Sequence, residues 1–226
     1  MLKISDILSV FYPQICKSCS DGLVKGELYL CLHCELNFGE IYLNNKHSSD
    51  IEELFWGKVK IESAVAIYQF LKQENLQKII HDFKYKGNHK LAIKMGEVMG
   101  YKYRCLLKDI DAVSFVPMHS NKKRKRGFNQ AEKLAEGFSA ITDVKIVNIL
   151  ERIEYTDTQT SKGVFERFQN MEDKFKVLSP LQEIKHVLLI DDVITTGATL
   201  VSCSKKLVQK GIKVSIVCLA YRGLNF

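Results

Sequence analysis

Two adjacent acids and a run of small hydroxyl-bearing residues stand closest to chemistry in this 226-residue chain. In the stretch VLLIDDVITTGAT, Asp191 and Asp192 follow the apolar run Val187 to Ile190, and Thr195, Thr196, Gly197, Ala198 and Thr199 come directly after. A phosphate needs backbone donors and small side chains at a helix N-terminus, and Thr195 to Thr199 supply both, with Gly197 allowing close backbone approach. The acids lie too near one another to share that phosphate, and they suit hydroxyl groups or Mg²⁺ instead. A ligand with a phosphate at one end and a vicinal diol about one ribose away fits this spacing.

A second group is Cys16 and Cys19 in CKSC and, after eleven intervening residues, Cys31 and Cys34 in CLHC. Paired CxxC knuckles aim four thiolates at one point, as structural zinc sites require, and a closed four-sulfur site leaves no position for substrate. It is expected to staple a subdomain too small to stand alone. Disulfides, an iron–sulfur cluster and a site without metal are the competing readings; an intracellular chain disfavours the first, and nothing suggests redox partners for the second. His33 could replace a cysteine or be a solvated neighbour. Cys105, Cys203 and Cys218 read as small buried hydrophobes.

The third group is basic. Lys122, Lys123, Arg124, Lys125 and Arg126 form one run after Pro117 and His119, and Lys84 and Lys86 flank Tyr85. The long run could grip a diphosphate, meet nucleic acid or be a solvated face; a loop leaving a parallel strand for a helix N-terminus is where α/β proteins place anions. The Lys84–Lys86 cluster could contact a phosphate backbone, or be a solvated helix end.

The elements that must position these groups alternate. A strand at SAVAIYQF is followed by two helices that meet at Gly87 and Asn88, with Leu76, Ile79, Ile80 and Phe83 as an apolar core stripe. Ala112 to Val116 is a buried strand ending at Pro117, VKIVNIL a third, Phe175 to Leu178 a short one, then Val187 to Ile190 and KVSIVCLAY. The order implies a parallel sheet with helical crossovers. Ile4, Ile7, Leu8 and Phe11 share one face of a short N-terminal helix, and NNKHSSDIEE (44–53) reads as a linker. Before the short strand at Phe175, the stretch beginning EYTDTQTSKGVFERFQNMEDK runs long and polar, as a lid or an idle loop would.

Hydrophobic content of 46% suffices for a large core. No stretch approaches a membrane span and the N-terminus is a poor signal peptide, so a cytoplasmic location is expected. A formal charge of +7 and a pI of about 8.9 favour phosphorylated or nucleic-acid partners without requiring them.

VLLIDDVITTGAT resembles the phosphoribosyl diphosphate (PRPP) motif of type I phosphoribosyltransferases at every position; a Walker or Rossmann loop is excluded because neither glycine pattern is present. With CxxC twice, VPMH, RGFNQ, KYKG and the TQT to ERFQN segment, the chain is similar to the ComF family of competence-related proteins (ComFC, GntX-like) over almost its whole length. The resemblance implies a zinc-binding module (1–44) and a phosphoribosyltransferase-like domain (54–226), a parallel sheet flanked by helices. It implies that Asp191 and Asp192 bind the ribose hydroxyls, Thr195 to Thr199 the 5-phosphate, and Pro117, His119 and Arg126 the diphosphate with Mg²⁺. It makes residues around Thr158, Gln159, Thr160, Arg167 and Asn170 a hood. Ser120 departs from the family, which often has proline there. The implied activity is phosphoribosyl transfer from PRPP to an unknown acceptor, linked to DNA uptake; the alternative is a non-catalytic protein that binds single-stranded DNA or a nucleotide through Lys84, Lys86, Lys122, Lys123 and Arg124. Other DNA-uptake proteins are the expected partners. A transcriptional regulator is disfavoured because no helix-turn-helix stands out.

Overall fold

The computed structural model describes residues 14–41, 46–70, 74–153, 174–178 and 183–223. The expected N-terminal helix and the hood residues Thr158, Gln159, Thr160, Arg167 and Asn170 lie outside the described residues.

Four strands form one all-parallel sheet in the order β1–β6–β5–β2: β1 Ser63–Gln69, β2 Ala112–Phe115, β5 His186–Ile194 and β6 Lys213–Tyr221. Their β-branched, nearly uninterrupted apolar runs suit strands covered on both faces. The period of two sorts them. Leu188 and Ile190 face one apolar cluster with Val113, Phe115, Val65 and Ile67, whereas Val187 and Leu189 face another with Ala64, Ala66, Val214 and Ile216.

On the first face lie α3 (Glu74–Tyr85), α4 (His89–Tyr103) and α6 (Gln130–Thr142). The stripe Leu76, Ile79, Ile80 and Phe83 is buried there as expected, and the two helices part at Gly87 (φ +72°), with Asn88 accepting from Leu91 N–H at 3.2 Å to start α4. Helices α4 and α6 approach so closely that a Cβ on Gly137 would stand 1.9 Å from the Ile93 carbonyl oxygen. On the second face α7 (Ala198–Val208) is the crossover between β5 and β6.

Several local expectations are corrected. Residues 44–53 are not a plain linker: Lys46–Glu53 is a helix, α2, with Ile51 fully buried and Leu54 and Phe55 in the second cluster just after it. Its polar composition misled because few apolar residues are needed to anchor so short a helix. VKIVNIL does not form a full strand; only Ile146 bridges Val113 in parallel, and Leu150 starts β3 (Leu150–Arg152), which pairs antiparallel with β4 (Phe175–Val177). Cys105 is exposed, on a short 3₁₀ turn, while Cys203 and Cys218 are buried.

The four-cysteine segment, which includes the short helix α1 (Leu32–Asn37), is seated on the main body. Cys16, Cys34, Leu30 and Phe38 join the cluster that holds Tyr68 and Leu91, and Phe38 meets the Tyr68 ring edge-on at 5.3 Å. Among the described residues no helix is long and apolar enough to cross a membrane.

Candidate functional site

The C-terminal ends of β5 and β2, the end of α3 on one face and the start of α7 on the other meet at one edge of the sheet. Val116 N–H donates to the Ile190 carbonyl at 3.0 Å, which carries the β2 chain to Pro117 at this end of the sheet. The acids do not follow the strand, as expected from sequence, but belong to it: β5 continues to Ile194, held by β6 through Ile194↔Tyr221, after β2 has stopped pairing at Phe115↔Ile190. One long strand beside one short neighbour leaves an edge where two carboxylates can face a ligand.

Strand alternation sends the two acids in different directions. Asp191 is in phase with Val187 and Leu189, toward α7 and the buried thiols of Cys203 and Cys218. Burial, and then the Asp192 carboxylate, push the Asp191 carboxyl up to about 8 against the opposing pull of Asp192 N–H, which donates to Asp191 Oδ1 at 2.9 Å, and of Lys84. Asp192 is in phase with Leu188 and Ile190, toward α3, and its Oδ2 lies 2.6 Å from Lys84 Nζ. Lys84 is therefore turned toward the acid pair, because the last turn of α3 ends beside β5. Its neighbour Lys86 instead pairs with Asp82 at 3.2 Å with a well-exposed side chain.

Beyond Ile194, residues Thr195, Thr196, Ala198 and Thr199 are exposed around a buried Gly197. Gly197 takes φ +72° as the residue preceding α7 and has no side-chain cap; Ala198 N–H reaches Thr196 Oγ1 at 3.5 Å, and the helix N-terminus behind it faces the loop where an anion can sit. A Cβ there would meet Leu54 Cβ at 3.3 Å, so α2 and its following turn support the loop from below. The loop and Asp191 enclose a hollow of about 50 Å³, small enough for a phosphate group.

The basic run is not a loop. Ser120–Arg126 is a short helix, α5, with none of its residues buried, because lysine and arginine are good helix formers, His119 Nδ1 accepts from Asn121 N–H at 3.2 Å, and Gly127 ends it at φ +83°. Ser120 suits the first helical position. Lys122, Lys123 and Arg124 point outward, with Lys123 Nζ 3.4 Å from Glu132. Arg126 donates to Gln130 Oε1 at 3.0 Å and lies 5.2 Å from the Tyr85 ring centre; it makes neither contact with the acid pair. Beside Pro117 an open cleft of about 540 Å³ is lined by Met118, Asn129, Arg152 and Ile153 among others. Ile153 N–H donates to the Lys174 carbonyl at 2.8 Å; the expected hood, Thr156 to Asn170, lies outside the described residues.

Sequence reasoning missed Lys84 as the partner of Asp192, and it quoted Asn129 and Gln130 within RGFNQ without giving either a role in the site. Asn129 is buried; its amide donates to the Val116 carbonyl at 2.9 Å and its oxygen accepts from Ala131 N–H at 3.1 Å, which fixes the turn after β2. The available signal was an Asn preceding an apolar-periodic segment, the usual mark of a helix start.

Away from this site, the Sγ atoms of Cys16, Cys19, Cys31 and Cys34 lie within 4.8 Å of one another, with Cys19 and Cys31 3.7 Å apart. A tetrahedron with metal–sulfur bonds of about 2.3 Å has edges near ~3.8 Å, so the cluster can hold a metal such as zinc. Ser18 and Cys31 N–H groups each stand 3.4 Å from Cys16 Sγ. Burial raises the Cys16 thiol, but these and the Cys19 amide outweigh it and bring it down to about 7, whereas burial and the neighbouring sulfurs hold Cys34 above the ordinary thiol value and Cys19 is likewise raised. His33 is exposed beside Asn37, outside the cluster.

No family model matches the chain. It is 36% identical over 110 residues to Competence protein F of Haemophilus influenzae, covering 47% of this chain and 48% of that protein. It is 24% identical over 208 residues to Competence protein ComFC of Bacillus subtilis, covering 90% and 81%. The chain thus spans about half the length of the first relative. A solved glutamine PRPP amidotransferase from B. subtilis is similar with a TM-score of 0.44 and 16% identity, over 61% of this chain and 30% of that one.

Proposed function

We propose that this chain, whose homologues are competence proteins F and ComFC, binds PRPP with Mg²⁺ at the end of β5 and transfers its phosphoribosyl group to an acceptor in the service of DNA uptake, in the cytoplasm. The observation that carries the reading is the divergence of Asp191 and Asp192 at the extended end of β5, with the Gly197 loop directly after them. One place can receive a monoester and the other a diol. In this reading Thr195 to Thr199 and the first α7 amides hold the 5-phosphate, and Asp191 and Asp192 accept hydrogen bonds from the ribose hydroxyls. Pro117, His119 and Arg126 border the diphosphate. An all-oxygen donor set at the acid pair suits Mg²⁺, which would be bound mainly through the ligand's oxygens and would supply charge neutralisation for the leaving group. The bond from C1 to the diphosphate oxygen breaks, the diphosphate departs with the electron pair, and the acceptor's nucleophile bonds to C1. Thr158, Gln159, Thr160, Arg167 and Asn170, the hood that the family resemblance implies, would exclude water from the cationic ribose. The cysteine module, residues 1–44, is read as a zinc staple carried by the domain at 54–226.

A second reading, binding of single-stranded DNA, is supported by the outward face of α5 with Lys122, Lys123 and Arg124 and by Lys86. Titration calorimetry with Mg-PRPP, and release of diphosphate in the presence of pooled bases, amines and nucleic acids, tests the first reading. Binding that is lost in Asp191→Asn/Asp192→Asn supports it. Absence of binding, or equal binding by the double variant, refutes it.

A further inference from the structure

Lys84 has a place in this site that the basic composition of its neighbourhood does not convey. Its ammonium sits 2.6 Å from Asp192 Oδ2, and the two side chains are only 19% and 14% exposed. The backbone that carries it is pinned: Lys86 N–H donates to the Asp82 carbonyl at 2.9 Å, and the Asp82 carboxylate takes Asn88 Nδ2 at 2.9 Å and Lys86 Nζ at 3.2 Å. The two lysines at the end of α3 are thus divided, one to a local acid and one across the site to β5.

We propose that Lys84 is a specificity-determining residue that exchanges Asp192 for the anionic group on C1 of the ligand, and so makes the site prefer a pentose diphosphate to a simple pentose phosphate. This rests on the phosphoribosyl reading of the acid pair. A partly buried ammonium stripped of its carboxylate has lost hydration that only another anion restores. A ribose diol, with the divalent cation that accompanies it, crowds the oxygen that Lys84 holds. A ligand bearing only a 5-phosphate displaces the ammonium and offers nothing in return, since that phosphate sits in the Gly197 loop on the other side of Asp191. A ligand with a diphosphate on C1, next to the diol, receives the ammonium as it leaves Asp192. Discrimination then arises from the cost imposed on the incomplete ligand, a form of selection against the wrong partner.

The test is the ratio of dissociation constants for ribose 5-phosphate and Mg-PRPP by calorimetry on the full chain. Lys84→Met removes the charge, and Lys84→Gln keeps a donor to Asp192, so that one variant remains folded if an unpaired acid destabilises the other. In both, the preference for Mg-PRPP over ribose 5-phosphate should fall at least about tenfold, about 1.4 kcal/mol, with ribose 5-phosphate bound as well as or better than by wild type. Lys84→Arg should keep the preference. Equal weakening of both ligands, or an unchanged ratio, overturns the exchange and leaves Lys84 a structural counter-ion. A wild-type chain that takes neither ligand removes the phosphoribosyl reading itself, and the exchange with it.

Discussion

Asp191 should cost the fold stability in return for its place in the site, and the cost should depend on pH. Its carboxyl is displaced from an ordinary 3.8 to about 8, first by burial and then by Asp192. In the unfolded chain this group loses its proton near pH 4, whereas the folded chain keeps it until about pH 8. Between those limits the folded state binds more protons, so stability falls as pH rises through the window and levels off above it. Each pH unit is worth up to about 1.4 kcal/mol. Asp191 is partly exposed and Lys84 opposes the shift, so solvent and counter-charge reduce the full integral, and about 2 kcal/mol between pH 5 and 8 is the appropriate size. Asn at this position is nearly isosteric, can still accept from Asp192 N–H, and does not ionise. The facing groups, Asp192, Lys84, Cys203 and Cys218, are unchanged by the substitution. Thermal unfolding of wild type and Asp191→Asn at pH 5, 6.5 and 8 should therefore show similar midpoints at pH 5 and the variant higher by about 4–8 °C at pH 8, for a chain of this length. Loss of Mg-PRPP binding in the same variant would make the residue a case of stability sacrificed to function. A difference that does not grow with pH, or a variant less stable throughout, would refute the burial argument.

Two further outcomes are expected. Elemental analysis of the purified chain should find about one zinc per chain, and chelation should lower the unfolding midpoint while Cys16→Ser abolishes both the zinc and that sensitivity; a folded, metal-free preparation insensitive to chelator would refute the staple. Substituting Lys122, Lys123 and Arg124 together by Ala should weaken single-stranded DNA binding and flatten the dependence of log affinity on log salt by about 2, from three lost phosphate contacts at roughly 0.7 each; an identical slope would show that α5 is a solvated face.

Patterns that one element carries within itself were legible. The buried stripe of α3 follows from spacing alone, the helix break at Gly87 from residue type, and the cysteine cluster from two knuckles whose geometry is local. What was misread depends on the lengths of neighbours. Asp191 and Asp192 look like residues beyond a strand because the apolar run stops at Ile190, yet β6 continues to pair as far as Tyr221 and carries them along. The basic run looks like a loop because its charge draws attention from its helix propensity, which prevails once His119 and Gly127 close its two ends. Residues 44–53 look like a linker because their composition is polar, while a fully buried Ile51 and the two apolar residues after the helix seat it under Gly197.

Lys84 shows the limit most directly. Nothing in KYKG distinguishes the lysine that meets Asp192 from the one that meets Asp82, since both lie at the end of one helix and both have an acid to neutralise. Their division is set by the rotation of α3 against the sheet, which in turn follows from Leu76, Ile79, Ile80 and Phe83 facing the core. On a helix of 3.6 residues per turn that stripe leaves position 84, next to Phe83, at one edge of the buried face, whereas Lys86 follows the last helical residue, Tyr85, and turns back to Asp82. The apolar stripe, read at first as packing alone, is therefore what aims a cation at the acid pair.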